Sequence, residues 1–292
     1  MLPENIFITG SATGLGIALA ECFLQQGYRV WGTYHTQRHP EFFVKKYEGM
    51  FIPVEMDIQD LDSIREVSKQ IKNHLDRSDE PLTLIINNAA EFHPGPLLEA
   101  KIDDMLNICQ VNIIGPILVI RYLRDLVYKN HREKKAQIIN ISTYRAKIPL
   151  PFTGLYGASK CALNMITDTL RLELIPFNIT IVTILLGNVQ TGALERQLKK
   201  MCRDETSEYF RHLNFRAEKG RKMAITYGCT SHFAANRIFK IAQKNNPKHT
   251  YTVSSKTIIY KILTVLSRWP IYLFIIRRYY FRDNQRSINN AE

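Results

Sequence analysis

Tyr156 and Lys160 stand four residues apart in the run Tyr156-Gly157-Ala158-Ser159-Lys160. On a helix that spacing places both on one face. A tyrosine left to itself has a pKa of about 10 and keeps its proton at neutral pH. A nearby ammonium stabilises the phenolate and lowers that value. A tyrosine so placed can give a proton to a carbonyl oxygen, or take one from an alcohol, as hydride moves. An isolated Tyr-x-x-x-Lys is also a common surface contact, so the pair carries weight only in company.

Company comes from the N-terminus. Thr9-Gly10-Ser11-Ala12-Thr13-Gly14-Leu15-Gly16 follows the apolar run Ile6-Phe7-Ile8 and leads into Ile17-Ala18-Leu19-Ala20. Glycines between a strand and a helix let backbone N–H groups approach a pyrophosphate, and the helix N-terminus favours its charge. A dinucleotide is therefore the expected ligand. The second strand ends Thr33-Tyr34-His35-Thr36-Gln37-Arg38, with no carboxylate before Glu41. An acid there would hold the ribose 2′-hydroxyl of NAD, whereas uncharged and basic groups suit a 2′-phosphate. NADP(H) is favoured over NAD(H) on that chemistry, unless His35 and Arg38 are only solvated loop residues.

These residues need a frame to hold them. Strand-like runs occupy 5–9, 29–34, 51–56, 82–87, 137–143 and 179–186, with a last one at 250–253. Helical patterns fall at about 15–26, 60–74, 100–128, 155–175 and 231–244. Apolar strands alternating with helices predict an α/β architecture, a doubly wound parallel sheet with helices on both faces. One domain is expected over 1–255, with a substrate loop and lid at about 188–228. A basic amphipathic tail at 256–292 forms a helical extension.

Taken together and in this order, the motifs resemble the short-chain dehydrogenase/reductase family over about residues 4–190. Its fold is the Rossmann type. Gly10, Gly14 and Gly16 match the family's glycine loop, and Ser11, Thr13 and Leu15 lie within it. Asp57, followed by Ile58, matches an acid that contacts adenine. Asn87-Asn88-Ala89-Ala90 matches an Asn-Asn-Ala-Gly stretch, and Gln110-Val111-Asn112 carries the catalytic asparagine. Leu186-Gly187-Asn188-Val189-Gln190-Thr191 matches the Pro-Gly-x-x-x-Thr segment at the nicotinamide end. The likeness implies that Tyr156 is the proton donor or acceptor. Lys160 would lower its pKa and hold the nicotinamide ribose, and Asn112 would order a water beside Lys160. His35, Asn88, Ala89, Gly187, Val189 and Thr191 would line the cofactor.

Three departures stand out. Ala90 replaces glycine, a small change if its φ is negative. Leu186 replaces a proline. The family serine that orients the carbonyl lies thirteen residues before the tyrosine, which is Thr143 here. Its hydroxyl can make the same hydrogen bonds. Ser142, one residue earlier, points to the opposite face of a strand, and a one-residue insertion would bring it in instead.

The chain has 292 residues, 45% of them hydrophobic, and a formal charge of +12. Residues 1–189 hold 19 Lys and Arg against 20 Asp and Glu; residues 190–292 hold 20 against 7. The basic excess thus belongs to the last third. Five cysteines without a CxxC pair point to reduced thiols in a cytoplasmic setting. No secretory signal is expected after Met1-Leu2-Pro3-Glu4. No uninterrupted apolar run suits a spanning helix. Scattered histidines, with only His35 and His39 four apart, give no metal site.

In the tail, apolar positions 258, 259, 262, 263 and 266 follow helical spacing, and Pro270 suits the start of a second helix. Aromatic and basic residues interleave there, as in helices that lie peripherally in a membrane interface. Packing over the substrate cleft is the other reading. A hydrophobic, basic tail also resembles the steroid, retinol and acyl-dihydroxyacetone-phosphate reductase branches, which implies a small lipophilic carbonyl or alcohol substrate. A homodimer through the Tyr156 helix and its neighbour is carried over as well. Two other functions compete: a non-catalytic NADP(H) sensor on the same fold, which would not need Tyr156 and Lys160, and a nucleic-acid binder, for which no recognition motif is present.

Overall fold

The computed structural model describes residues 4–35, 40–78, 80–129, 136–201 and 205–280. Arg38 and His39 therefore lie outside the described residues. Nine strands and eleven α-helices alternate in this part of the chain. The first half runs β1 (Asn5–Ile8), α1 (Gly14–Leu24), β2 (Arg29–Tyr34), α2 (Glu41–Lys46), β3 (Phe51–Glu55), α3 (Leu61–Ser78) and β4 (Leu82–Asn87). Next come α4 (Ile102–Cys109), α5 (Gly115–Lys129), β5 (Ala136–Thr143), α6 (Gly154–Glu173) and β6 (Ile179–Leu186). The last third holds β7 (Val189–Gln190), α7 (Gly192–Met201), α8 (Phe210–Tyr227), β8 (Cys229–Thr230), α9 (Ser231–Ala242) and β9 (Thr250–Val253). The tail forms α10 (Thr257–Leu266) and α11 (Pro270–Tyr280).

Seven strands form one parallel sheet in the order β3-β2-β1-β4-β5-β6-β9. Side chains alternate across it and both faces are buried. Ile6 and Ile8 pack with Leu19, Phe23 and Ile238 on the face of α1 and α9. Phe7 points the other way and packs with Ile71, Ile85 and Leu123 on the face of α3 and α5. This two-sided burial is why the strands read as continuous apolar runs. The chain leaves β1 toward β2 and β3 on one side, then returns to β4 on the other. That reversal opens a crevice at the carboxyl ends of β1 and β4, the place where such sheets take ligands.

The expected doubly wound sheet and each expected strand and helix are present. Five elements were not anticipated: α2, the short strands β7 and β8, and the two lid helices α7 and α8. Ile102–Val127 is a helix long and apolar enough to cross a membrane by composition. Its Val111, Val119, Ile120 and Leu123 are instead buried in the core against the sheet.

Candidate active site

The glycine loop is shaped by contacts that exclude side chains. Gly10 and Gly14 have φ of +66° and +57°, a region that favours glycine. A Cβ on Gly16 would lie 2.0 Å from the Gly10 carbonyl oxygen. The loop is tied to β2 by the Gly10 N–H, which donates to Thr33 Oγ1 at 2.9 Å, and by the Ser11 N–H, which donates to the Thr33 carbonyl at 2.8 Å. It is tied to the β4 end by Asn88 Nδ2, which donates to the Thr9 and Gly10 carbonyls at 3.0 and 3.1 Å. Thr9 Oγ1 in turn accepts from the N–H groups of Asn88 and Ala89. Thr13 precedes α1 without a side-chain cap, and the first turn carries no acid. The unpaired N–H groups of that turn therefore remain available to an anion.

This loop walls a cleft of about 430 Å³. Of the residues expected at the cofactor, Gly10, Thr13, Gly14, Leu15, Gly16, His35, Asn88, Ala89, Gly187, Val189 and Thr191 line it. Tyr156, Lys160, Ser142 and Thr143 line it too. Ser11, Asp57, Ile58 and Asn112 do not. Ser11 is buried under the loop, and Asp57 Oδ1 accepts from the Gln59 N–H at 2.9 Å. Ile58 packs at Gly115, where a Cβ would meet its Cγ1 at 2.6 Å. No Asp or Glu is among the described lining residues. The donors and the lack of competing carboxylates fit a dinucleotide pyrophosphate.

Asn112 sits in a π-helical turn, Gln110–Ile114, that joins α4 to α5. Its amide is fully engaged. Oδ1 accepts from the Glu91 N–H at 2.9 Å, and Nδ2 donates to the Glu91 carbonyl at 2.8 Å and to Ser159 Oγ at 2.9 Å. Ser159 Oγ donates to the Tyr156 carbonyl at 2.9 Å. The side chain thus fastens the strand end to the Tyr156 helix.

Lys160 is buried, and its Nζ donates to the Ile141 carbonyl at 3.0 Å. Burial lowers its pKa from 10.5 to about 8. Tyr156 is half-buried, with the Phe92 ring edge-on at 4.8 Å. Burial pushes the phenol up; the Arg145 guanidinium opposes that and Tyr144 adds to it. Lys160 is not among the groups that shift the phenol, and its ammonium donates to a backbone carbonyl. The cation acting on the phenol is Arg145, a residue not singled out from the sequence. It stands over Phe92 at 5.4 Å, and no spacing motif marks it.

At the end of β5 the two candidate hydroxyls differ. Thr143 Oγ1 donates to the Leu186 carbonyl at 3.3 Å and accepts from the Arg145 N–H at 3.4 Å. Ser142 Oγ is buried with no hydrogen-bond partner. Ala90 is not among the residues of positive φ, so it fits the glycine position without strain. Phe152, four residues before Tyr156, does have a positive φ of 62°.

Beyond Phe92 lies a second cavity of about 310 Å³. Ile148, Leu150, Leu198, Met223, Leu263 and Ile276 give it an apolar wall. Phe92, Arg145 and Asn188 line both spaces and so mark their junction.

The chain is similar to several known proteins. The NADPH-dependent 1-acyldihydroxyacetone phosphate reductase of Schizosaccharomyces pombe is 32% identical over 197 residues, 67% of this chain and 63% of that protein. The chain thus spans less than two thirds of that relative's length. The 3-ketodihydrosphingosine reductase of Bacteroides thetaiotaomicron is 27% identical over 251 residues, 85% of this chain and 86% of that one. The crystal structure of a short-chain dehydrogenase from Streptomyces avermitilis superposes with a TM-score of 0.75 at 17% identity, over 91% of this chain and 96% of that one, and shows the shared fold. The short chain dehydrogenase family model matches residues 4–201, and the chain belongs to that family.

Proposed function

We propose that the chain is an NADP(H)-dependent oxidoreductase that reduces a ketone or aldehyde on a lipophilic substrate. One observation carries this reading: Tyr156 lines the glycine-loop cleft with its ring against Phe92, and Phe92 also lines the apolar cavity, so a proton donor lies beside the junction of the two spaces. Gly10 to Gly16 would hold the pyrophosphate, Tyr34 and His35 the adenosine end, and Gly187 to Thr191 the nicotinamide end. The cofactor supplies the hydride. Tyr156 gives its phenolic proton to the carbonyl oxygen, and Thr143 orients that oxygen by turning its hydroxyl proton from the Leu186 carbonyl to the substrate. Lys160 holds a positive charge behind them.

The phenol keeps its proton at neutral pH, as a proton donor to the carbonyl requires. The lack of a carboxylate among the described lining residues supports a 2′-phosphate, and the fission-yeast relative is NADPH-dependent. The relatives' names, a reductase of an acyl ketone phosphate and one of a sphingoid ketone, support a lipophilic substrate. A homodimer is part of this reading. Ile102 and Leu106 on α4, with Met165 and Leu172 on α6, expose an apolar face suited to a second copy.

The test is a panel of steroids, retinoids and acyl ketones, with NADPH and NADH consumption followed separately. NADPH consumption with at least one lipophilic carbonyl, at least tenfold faster than with NADH, is expected. Tight NADPH binding without turnover on any member would favour a redox sensor.

A further inference from the structure

The tail helices serve two surfaces at once. Their inner face closes the apolar cavity. Tyr260 is buried against Tyr144 with ring centroids 4.2 Å apart, and its hydroxyl accepts from the Asn188 N–H at 3.5 Å. Tyr272 donates to the Pro149 carbonyl, and Ser267 Oγ donates to the Lys147 carbonyl at 3.2 Å. These contacts pin the hairpin across the segment that leads to Tyr156.

The outer face is different. Ile258, Ile262, Val265, Trp269, Leu273 and Phe274 are each more than half exposed. Exposed Lys261, Arg268, Arg277 and Arg278 lie among them. No acidic residue occurs between Lys256 and Tyr280. An apolar face rimmed by charges of one sign is complementary to a bilayer with anionic head groups. The helices have 10 and 11 residues and meet at 113°. Together they are long and apolar enough for one span by composition, but the 113° bend leaves each about half the length needed to cross a hydrocarbon core, so the pair suits the interface.

The cavity reaches the surface on this same side. Ile275 of α11 and Tyr227 of α8 both line it, yet are 47% and 39% exposed. Helices α8 and α11 thus each carry a lining residue that also meets solvent, beside the apolar face.

We propose that the α10–α11 hairpin lies in the head-group layer of an anionic bilayer, and that the cavity is loaded from that bilayer between α8 and α11. The loading step rests on the reductase reading above; the membrane contact does not. The chain carries its own reporter, because Trp31 is buried in the core and Trp269 is exposed on the hairpin. With mixed phosphatidylglycerol–phosphatidylcholine vesicles, Trp269 emission should shift to the blue and be quenched by brominated acyl chains. Pure phosphatidylcholine should bind far more weakly. Replacing both Lys261→Glu and Arg277→Glu should weaken binding to the mixed vesicles at least about twentyfold while NADPH binding is kept.

No shift with either vesicle, or equal binding to both, overturns the membrane contact. A long-chain ketone is then offered with NADPH, either in the mixed vesicles or on cyclodextrin. The double variant should turn over the vesicle-borne ketone about tenfold more slowly and the cyclodextrin-borne ketone at the wild-type rate. Equal rates for wild type and variant on the vesicle-borne ketone overturn bilayer loading. NADPH consumption in neither format, with Trp269 still buried in vesicles, refutes the reductase reading and supports the membrane contact.

Discussion

Lys160 and Tyr156 are pushed in opposite directions by the same burial. The lysine, lowered to about 8, is an ammonium below that pH and neutral above it. Reduction that relies on the charge should be constant near pH 7 and fall as pH rises through about 8, which a pH profile of kcat/KM for NADPH-dependent reduction checks. Stability has its own sign. Between about 8 and 10.5 the unfolded chain holds the Lys160 proton and the folded chain does not, so this group's cost to stability fades as pH rises across that window. The hydroxyl that orients the substrate is open to a direct comparison. Thr143→Ala should lower kcat at least about tenfold, and Ser142→Ala by much less. Full turnover in Thr143→Ala would transfer the role to Ser142, whose buried hydroxyl lacks a protein partner. At this scale the sequence was informative where chemistry demands a residue type at a fixed spacing. Tyr156, Lys160 and the glycines follow from such spacing. Arg145 did not, because its influence depends on the fold bringing β5 beside Phe92 and Tyr156.

Elements place these groups by a few hydrogen bonds that cross long stretches of chain. The π-helical turn at Gln110–Ile114 carries Asn112 to Glu91 and Ser159 at once, so one amide joins the end of β4, the α4–α5 junction and α6. Asn112→Ala removes all three bonds. It should destabilise the protein by roughly 2–4 kcal/mol, read from urea unfolding, and weaken NADPH binding. A water-ordering role for the amide would instead leave stability intact and reduce only turnover. The strands were legible because both faces of the sheet are buried, so no polar alternation breaks the apolar runs. The lid was not. Helices α7 and α8 are rich in charge, and their apolar anchors Leu198, Leu213 and Ala217 meet Phe152, a residue distant in sequence. Helix α2 is six residues long, too short for a period to show.

Across the whole molecule, the neutral body and the basic last third divide the work. The body builds the dinucleotide cleft. The last third supplies β9 to the sheet, the α7–α8 lid and the α10–α11 hairpin that closes the apolar cavity. A tail read from sequence as either a lid or a membrane contact has faces suited to both, since Tyr260 and Tyr272 are buried while Trp269 and Phe274 are exposed. The reductase reading depends on Tyr156 giving its proton in the cleft, beside the Phe92 junction with the apolar cavity. The most direct test is NADPH consumption by wild type and Tyr156→Phe with a lipophilic ketone, beside NADPH binding by fluorescence. Loss of turnover by at least about a thousandfold with unchanged NADPH affinity is expected. Turnover by Tyr156→Phe at the wild-type rate would contradict it.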